Sequence, residues 1–254
     1  MAKIKMSDYA RAREKYDNGE YAAALKILSF HLVDQPRNFR SRELLGIVLH
    51  GMGCYRQAYE ELRLVTATST LSTDGQFAYA ASCLWVDDTV TAREIYCRLA
   101  CCPDTPEEFF LDLVMGLGRL QEFLLAVAVC ERYSIANPDC HEARYYMAFY
   151  MSKAKLPAEW IYPVIQGVVE IGPKVFHYRL AASKLLHGMG RDHEGYLAIA
   201  DASNEELESI TCRCCLDYLM DQYCANDDFF RTQTCELLVA MASQECGKSN
   251  QAPD

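Results

Sequence analysis

Thirteen cysteines and six histidines are the residues of this chain best suited to chemistry. Cys212, Cys214 and Cys215 crowd one short stretch, Cys224 and Cys235 lie downstream, and Cys97 and Cys101 are one helical turn apart. Thiolates at such spacing could ligate a soft metal or cycle through a disulfide. A structural zinc site, however, sets a Cys-x-x-Cys pair on a turn and adds a second pair at compatible spacing. The flanking hydrophobic pattern places these cysteines inside amphipathic helices, where Cys packs like Ala or Val. No metal ligands are therefore assigned. No Cys-x-x-Cys follows a strand, as a redox motif would require. The histidines are scattered, and His50 and His187 read as structural groups near helix ends, where an imidazole can bond terminal carbonyls.

Other catalytic patterns are missing from the sequence. There is no phosphate-cradling G-x-x-x-x-G-K-[ST], no G-x-G-x-x-G after a strand, no H-E-x-x-H and no G-x-S-x-G. The expectation is a non-enzyme without a cofactor. The net charge of −10 argues against nucleic acid as a partner, because phosphate binding needs a basic face. It argues equally against adsorption to an anionic membrane surface. No apolar run is long enough to span a bilayer, so no membrane insertion is expected. MAKIKMSDYA passes into polar helix without an apolar signal core, and free thiols suit a reducing compartment, so a cytoplasmic location is expected.

The elements that must position any site come from a repeat. LHGMG occurs at 49–53 and again at 186–190, within FRSRELLGIVLHGMG and FHYRLAASKLLHGMG. A step of 34 residues from Ala12 meets Gly46, Ala80, Val114 and Ala148; the same step from Ala24 meets Ala58, Ala92, Ala126 and then Trp160. The two LHGMG strings lie 137 residues apart (186 − 49), four such steps plus one, which predicts a one-residue insertion near Gly172 and Pro173. Repeats of this length are one supersecondary unit each. Small columns mark close helix crossings. Gly19, Gly53 and Gly190 turn the chain after a first helix with φ > 0, and Pro36 and Pro138 stop a second helix.

GEYAAALKILSFHLVDQPRN resembles the second half of a tetratricopeptide repeat (TPR), with Gly, aromatic, Ala and Pro at that family's spacing, and RELLGIVLHGMGCYRQAYEEL resembles it from its Leu-Gly pair through Ala58. The later repeats match it less well, and the fifth departs most, with Pro157 for the aromatic and Trp160 for the Ala. The resemblance implies an all-α, right-handed α-solenoid of antiparallel helix pairs, a TPR-like superhelix. About six repeats are expected over residues 5–202, then a capping helix pair over 203–246 with N-caps at Asn204 and Asp227, then a disordered tail at 247–254.

In such arrays the first helices line a concave groove. Carrying the family's groove positions across assigns Tyr9, Glu43, Phe77, Leu111 and Tyr145 to one column. Arg13, Ile47, Met115, Phe149 and Lys184 fall in a second, and Tyr16, His50 and Leu84 in a third, with Trp85 beside it. Phe77, Leu84, Trp85, Leu111, Met115, Tyr145 and Phe149 would form an apolar strip with polar flanks, the pattern of a peptide-binding surface. Aromatic and aliphatic residues stand where chaperone-tail-binding relatives carry a Lys/Asn/Arg clamp. The partner implied is a protein or peptide segment with apolar side chains, bound by an adaptor or a dedicated chaperone. Two other readings stay open: the strip is core, since 109–129 is almost continuously apolar, or it is the interface of a homodimer.

Overall fold

In the computed structural model, which describes residues 7–172 and 174–248, the chain is built from fifteen α-helices, with no strand among the described residues. It divides into two compact units. The first, ending at Val129, holds α1 (Asp8–Asp17), α2 (Tyr21–Asp34), α3 (Phe39–Gly51), α4 (Tyr55–Thr66), α5 (Thr73–Trp85), α6 (Thr89–Cys101), α7 (Phe110–Arg119) and the first part of α8 (Phe123–Ala136). The second, from Cys130, holds the end of α8, α9 (His141–Lys153), α10 (Ala158–Ile171), α11 (Phe176–Gly188), α12 (Asp192–Leu197), α13 (Asn204–Glu208), α14 (Arg213–Ala225) and α15 (Phe229–Lys248).

The hairpins share one turn chemistry. Gly19, Gly53, Asp87, Gln121 and Lys155 follow one another at 34-residue steps, and every one has positive φ, as do Gly190 and Asp227. The next residue always donates its N–H back five positions: Glu20 to the Lys15 carbonyl, Cys54 to Leu49, Asp88 to Cys83, Glu122 to Leu117, Leu156 to Met151, Arg191 to Leu186 and Asp228 to Tyr223. This is the Schellman closure, which satisfies an otherwise orphaned carbonyl at each helix end. Glycine marked three of these turns in the sequence. The other four are held by Asp, Gln, Lys and Asp, so the composition hid them.

A left-handed conformation costs a lysine about 1–2 kcal/mol. Glycine pays about 0.5–1 kcal/mol of that back in lost chain freedom. Lys155→Gly is therefore expected to stabilise the second unit by about 0.5–1 kcal/mol, read as a higher urea midpoint. A lower midpoint would show that the Lys155 side chain contributes more than its backbone costs.

The small columns are buried where helices cross. Ala12, Ala80 and Val114 are fully buried, as are Ala24, Ala58, Ala92 and Ala126. A Cβ on Gly46 would meet the Leu62 side chain at 2.5 Å. In the first unit, α1 packs on α3, α3 on α5 and α5 on α7, so the first helices form one layer. The second helices pack behind them, α2 on α1 and α3, α4 on α3 and α5, and α6 on α5 and α7.

Three sequence expectations are corrected. The extra residue lies in the α9–α10 turn, before Gly172. Second helices start two residues after the positive-φ position at Tyr21, Tyr55, Thr89 and Phe123, whereas α10 starts three after Lys155. The buried register moves with it: Trp160 is exposed and Ile161 is buried in its place. Pro173 itself lies outside the described residues. The N-caps also shift by one. Ser203 caps α13 in a reciprocal capping box with Glu206, and Asp228 accepts from the Arg231 N–H at the start of α15, while Asp227 occupies the turn. Finally, the chain after 203 forms three helices instead of two, with a break at 209–212 between α13 and α14. Of the expected tail, 247 and 248 belong to α15 and 249–254 lie outside the described residues, as do residues 5 and 6 of the first repeat.

Candidate functional site

Several assigned groove residues are committed to the fold. Ile47 and Phe77 are buried, at 5% exposure each, and do not face a groove. Phe77 stacks on Phe109, 4.4 Å between ring centroids, and meets Tyr96 edge-on. The apolar character that placed Phe77 in the surface strip is core packing, and Ile47 of the groove column is core as well. Glu43 accepts from both the N–H and the hydroxyl of Ser72 at 2.6 Å, bracing the N-cap of α5. Arg13 pairs with Asp17 at 2.9 Å and reaches Asp74 at 3.3 Å. Tyr9 lies under the Arg40 guanidinium, and Tyr16 packs against Tyr21. Leu84 is half-buried.

The two histidines of one repeat column differ in surroundings. His50 is half-buried, with Nδ1 3.3 Å from the Ser82 hydroxyl, and burial holds its pKa below the usual imidazole value despite the pull of Asp112. His187 is exposed, with Nδ1 2.6 Å from Asp192. Neither imidazole takes up the helix-end carbonyl role expected from its position.

What remains open to solvent in the first unit is compact. Leu111 and Met115 are 47% and 54% exposed, one turn apart on α7. Arg119 continues the same stripe, and its guanidinium carbon sits 5.5 Å from the Trp85 ring centroid. Trp85 is itself exposed and stacks flat on Tyr55 at 4.6 Å. Spacing of i, i+4, i+8 puts Leu111, Met115 and Arg119 on one helix face, so two apolar side chains end in a cation held over an indole. A cleft of about 760 Å³ opens beside this stack, walled by Tyr55, Trp85, Arg56, Glu60 and Asp88.

In the second unit, Phe149 is exposed and Tyr145 half-buried on α9. Tyr145 rests on Tyr178 of α11, 4.9 Å between centroids, which joins the two first helices. Between α9, α10 and α11 lies a cavity of about 360 Å³ lined by Tyr145, Ala148, Phe149, Ile161, Ile165 and Lys184, among others. Its wall is mostly apolar, with Lys184 at one edge. Burial pushes the Tyr145 phenol up, so it stays a neutral donor. The Lys184 ammonium is 3.2 Å from the Cys215 sulfur and lies over the Tyr218 ring.

Exposed apolar side chains also occur on second helices: Phe30 and Val33 on α2, Val90 on α6, Trp160 on α10. The groove columns could not find them, because they lie outside first-helix positions. Scattered exposed apolar residues are ordinary.

Repeated Schellman-closed hairpins with small crossing columns and a layer of first helices define a TPR-type α-solenoid. Solved structures of the same fold include the C-terminal part of a TPR repeat-containing protein from Cytophaga hutchinsonii, at 12% identity and TM-score 0.65, covering 92% of this chain and 95% of that one. A tetratricopeptide repeat protein from Parabacteroides merdae aligns at 14% identity and TM-score 0.61, covering 93% of each chain. YrrB, described as a TPR protein with an unusual peptide-binding site, aligns at 13% identity and TM-score 0.55 over 65% of this chain and 85% of its own. No protein-family profile and no curated protein sequence matches the chain. No helix among the described residues is long and apolar enough to cross a membrane.

Proposed function

We propose that this protein is a non-catalytic protein-interaction module that binds an extended or helical, partly apolar segment of a partner protein, as an adaptor or dedicated chaperone acting in the cytoplasm. One observation carries the reading: apolar side chains on first helices are left uncovered. Leu111 and Met115 are presented on α7, and Phe149 lines a mostly apolar cavity that ends at Lys184. Met and aromatic residues are over-represented at protein-binding surfaces. Fixed polar groups at the edge would set register while the apolar contacts supply affinity. YrrB, of like fold, supports the idea that such an array can take a peptide. Lys184, a cation in the lining of that cavity, favours a segment that carries an acidic group beside its apolar anchor.

The alternative occupant is a second copy of the chain, making the protein a self-associating scaffold whose apolar strip is a homodimer interface. Capture from native lysate tests the proposal. Met115→Glu and Phe149→Glu variants, shown by circular dichroism to be folded, are expected to lose captured partners at least tenfold, while Leu64→Glu on α4, also exposed, keeps them. Sedimentation of the wild type at rising concentration separates the readings. A concentration-dependent dimer that the same two variants dissolve would replace the partner reading with the scaffold.

A further inference from the structure

The break between α13 and α14 changes the meaning of the cysteine cluster. Cys212 is not inside a helix. It is the N-cap of α14, with extended backbone angles of φ −81° and ψ 117°, so its side chain folds over the first turn, where Cys214 and Cys215 stand. The sulfurs of all three lie within 4.8 Å of one another, and the Cys212 and Cys214 sulfurs are 2.8 Å apart. Cys212 and Cys214 are exposed and Cys215 is half-buried, so the group is open to solution.

The surroundings favour thiolates. The Lys184 ammonium donates to the Cys215 sulfur at 3.2 Å. The N-terminus of a helix of 13 residues adds the positive end of its peptide dipoles beside the same sulfurs. The thiolate is the form that ligates metal.

Thiolate sets select soft, thiophilic cations: monovalent copper, zinc and the like. Metal–sulfur bonds of about 2.3 Å imply sulfur–sulfur separations of about 4 Å around a trigonal centre. The three sulfurs lie within 4.8 Å of one another, and the exposed Cys212 and Cys214 side chains, 2.8 Å apart at sulfur, need to part to reach that spacing. No fourth His, Cys, Asp or Glu among the described residues joins them. A closed structural zinc site wants four protein ligands, which leaves a three-coordinate thiolate site as the match to the donor set.

We infer that Cys212, Cys214 and Cys215 form a three-thiolate site for one soft, thiophilic metal cation, with monovalent copper the ion that the donor set suits best. Lys184 offsets part of the negative charge of the site. It also lines the cavity beside Phe149, so metal binding and the cavity share one residue. The inference stands independently of what the cavity binds.

The test uses the full chain, fully reduced and metal-free, titrated anaerobically with monovalent copper against a competing chromophoric chelator, and separately with zinc. The wild type is expected to hold one tight copper equivalent. Cys212→Ser/Cys214→Ser, which alters only exposed side chains, should lose that equivalent or bind it at least tenfold more weakly. A Cys97→Ser/Cys101→Ser control should keep it, which removes the other cysteines as the source. Tight uptake of zinc in place of copper, again lost in the first variant alone, would retain the site and reassign its ion. Absence of a tight equivalent for either ion, or equal uptake by all three proteins, would overturn the inference.

Discussion

Tyr223→Ala is expected to destabilise the second unit by about 3–5 kcal/mol, the range for removing a large buried aromatic. Tyr223 is fully buried in α14, within a core shared by Phe176, Leu180, Ile199, Leu207, Leu216 and Leu219. That core ties α11 and α12 to the last three helices, so the ring is the joint between the final repeat and the cap. A solenoid whose last apolar face is uncovered loses neighbour interactions as well as the ring's own burial. The hydroxyl contributes separately. It donates to the Ile199 carbonyl at 2.9 Å, and burial keeps the phenol protonated well beyond the physiological range. Tyr223→Phe should therefore cost only about 1 kcal/mol, the net worth of one neutral hydrogen bond. Denaturant unfolding followed by circular dichroism reads both. Near-equal costs for the two variants would mean that the ring packs less tightly than its burial implies.

Gly116→Ala is expected to destabilise the first unit by about 2–3 kcal/mol, toward the upper end of overpacking costs. On an open helix face the same change would stabilise by about 1 kcal/mol through helix propensity. At Gly116 the new Cβ would lie 2.3 Å from the Tyr96 ring, and Tyr96 is only 2% exposed and wedged edge-on against Phe77. Gly167 of α10 has nothing within 4 Å of its Cβ position, so Gly167→Ala is the matched control and should raise stability. Adding Tyr96→Leu to Gly116→Ala should recover part of the loss, since neighbours in contact are not additive. A Gly116→Ala protein as stable as the wild type would show that α6 and α7 can slide apart.

The fold was legible in the sequence wherever a repeat position admits few residue types. The crossing columns at Ala12, Gly46 and Ala80 had to be small, and Gly19, Gly53 and Gly190 had to turn with positive φ. The same turns at Asp87, Gln121 and Lys155 were invisible, because tertiary packing forces a conformation that those side chains do not advertise. The insertion was counted correctly from the two LHGMG strings but placed too late, because Pro157 and Trp160 obscured the register that Ile161 restores. The groove was legible only in part. Sequence columns propose a helix face, and Leu111, Met115, Trp85 and Phe149 are exposed. They could not say how deeply a side chain sinks, so Ile47 and Phe77 were assigned to a surface that they do not reach. The sequence pattern places Cys212 inside a helix, and the structure places it at the N-cap of α14. The hydrophobic pattern runs on through 209–212, and only the structure breaks the helix at Cys212.

The central claim is that partners engage the first-helix side chains that the fold leaves uncovered. Photo-crosslinking in cells from a benzophenone side chain placed at Phe149, at Met115 and, for comparison, at Leu64 tests it most directly. The account predicts defined crosslinks to a different protein from 149 and 115, absent from 64. Crosslinks from 149 and 115 only to the chain itself, or to other proteins only from 64, would contradict it.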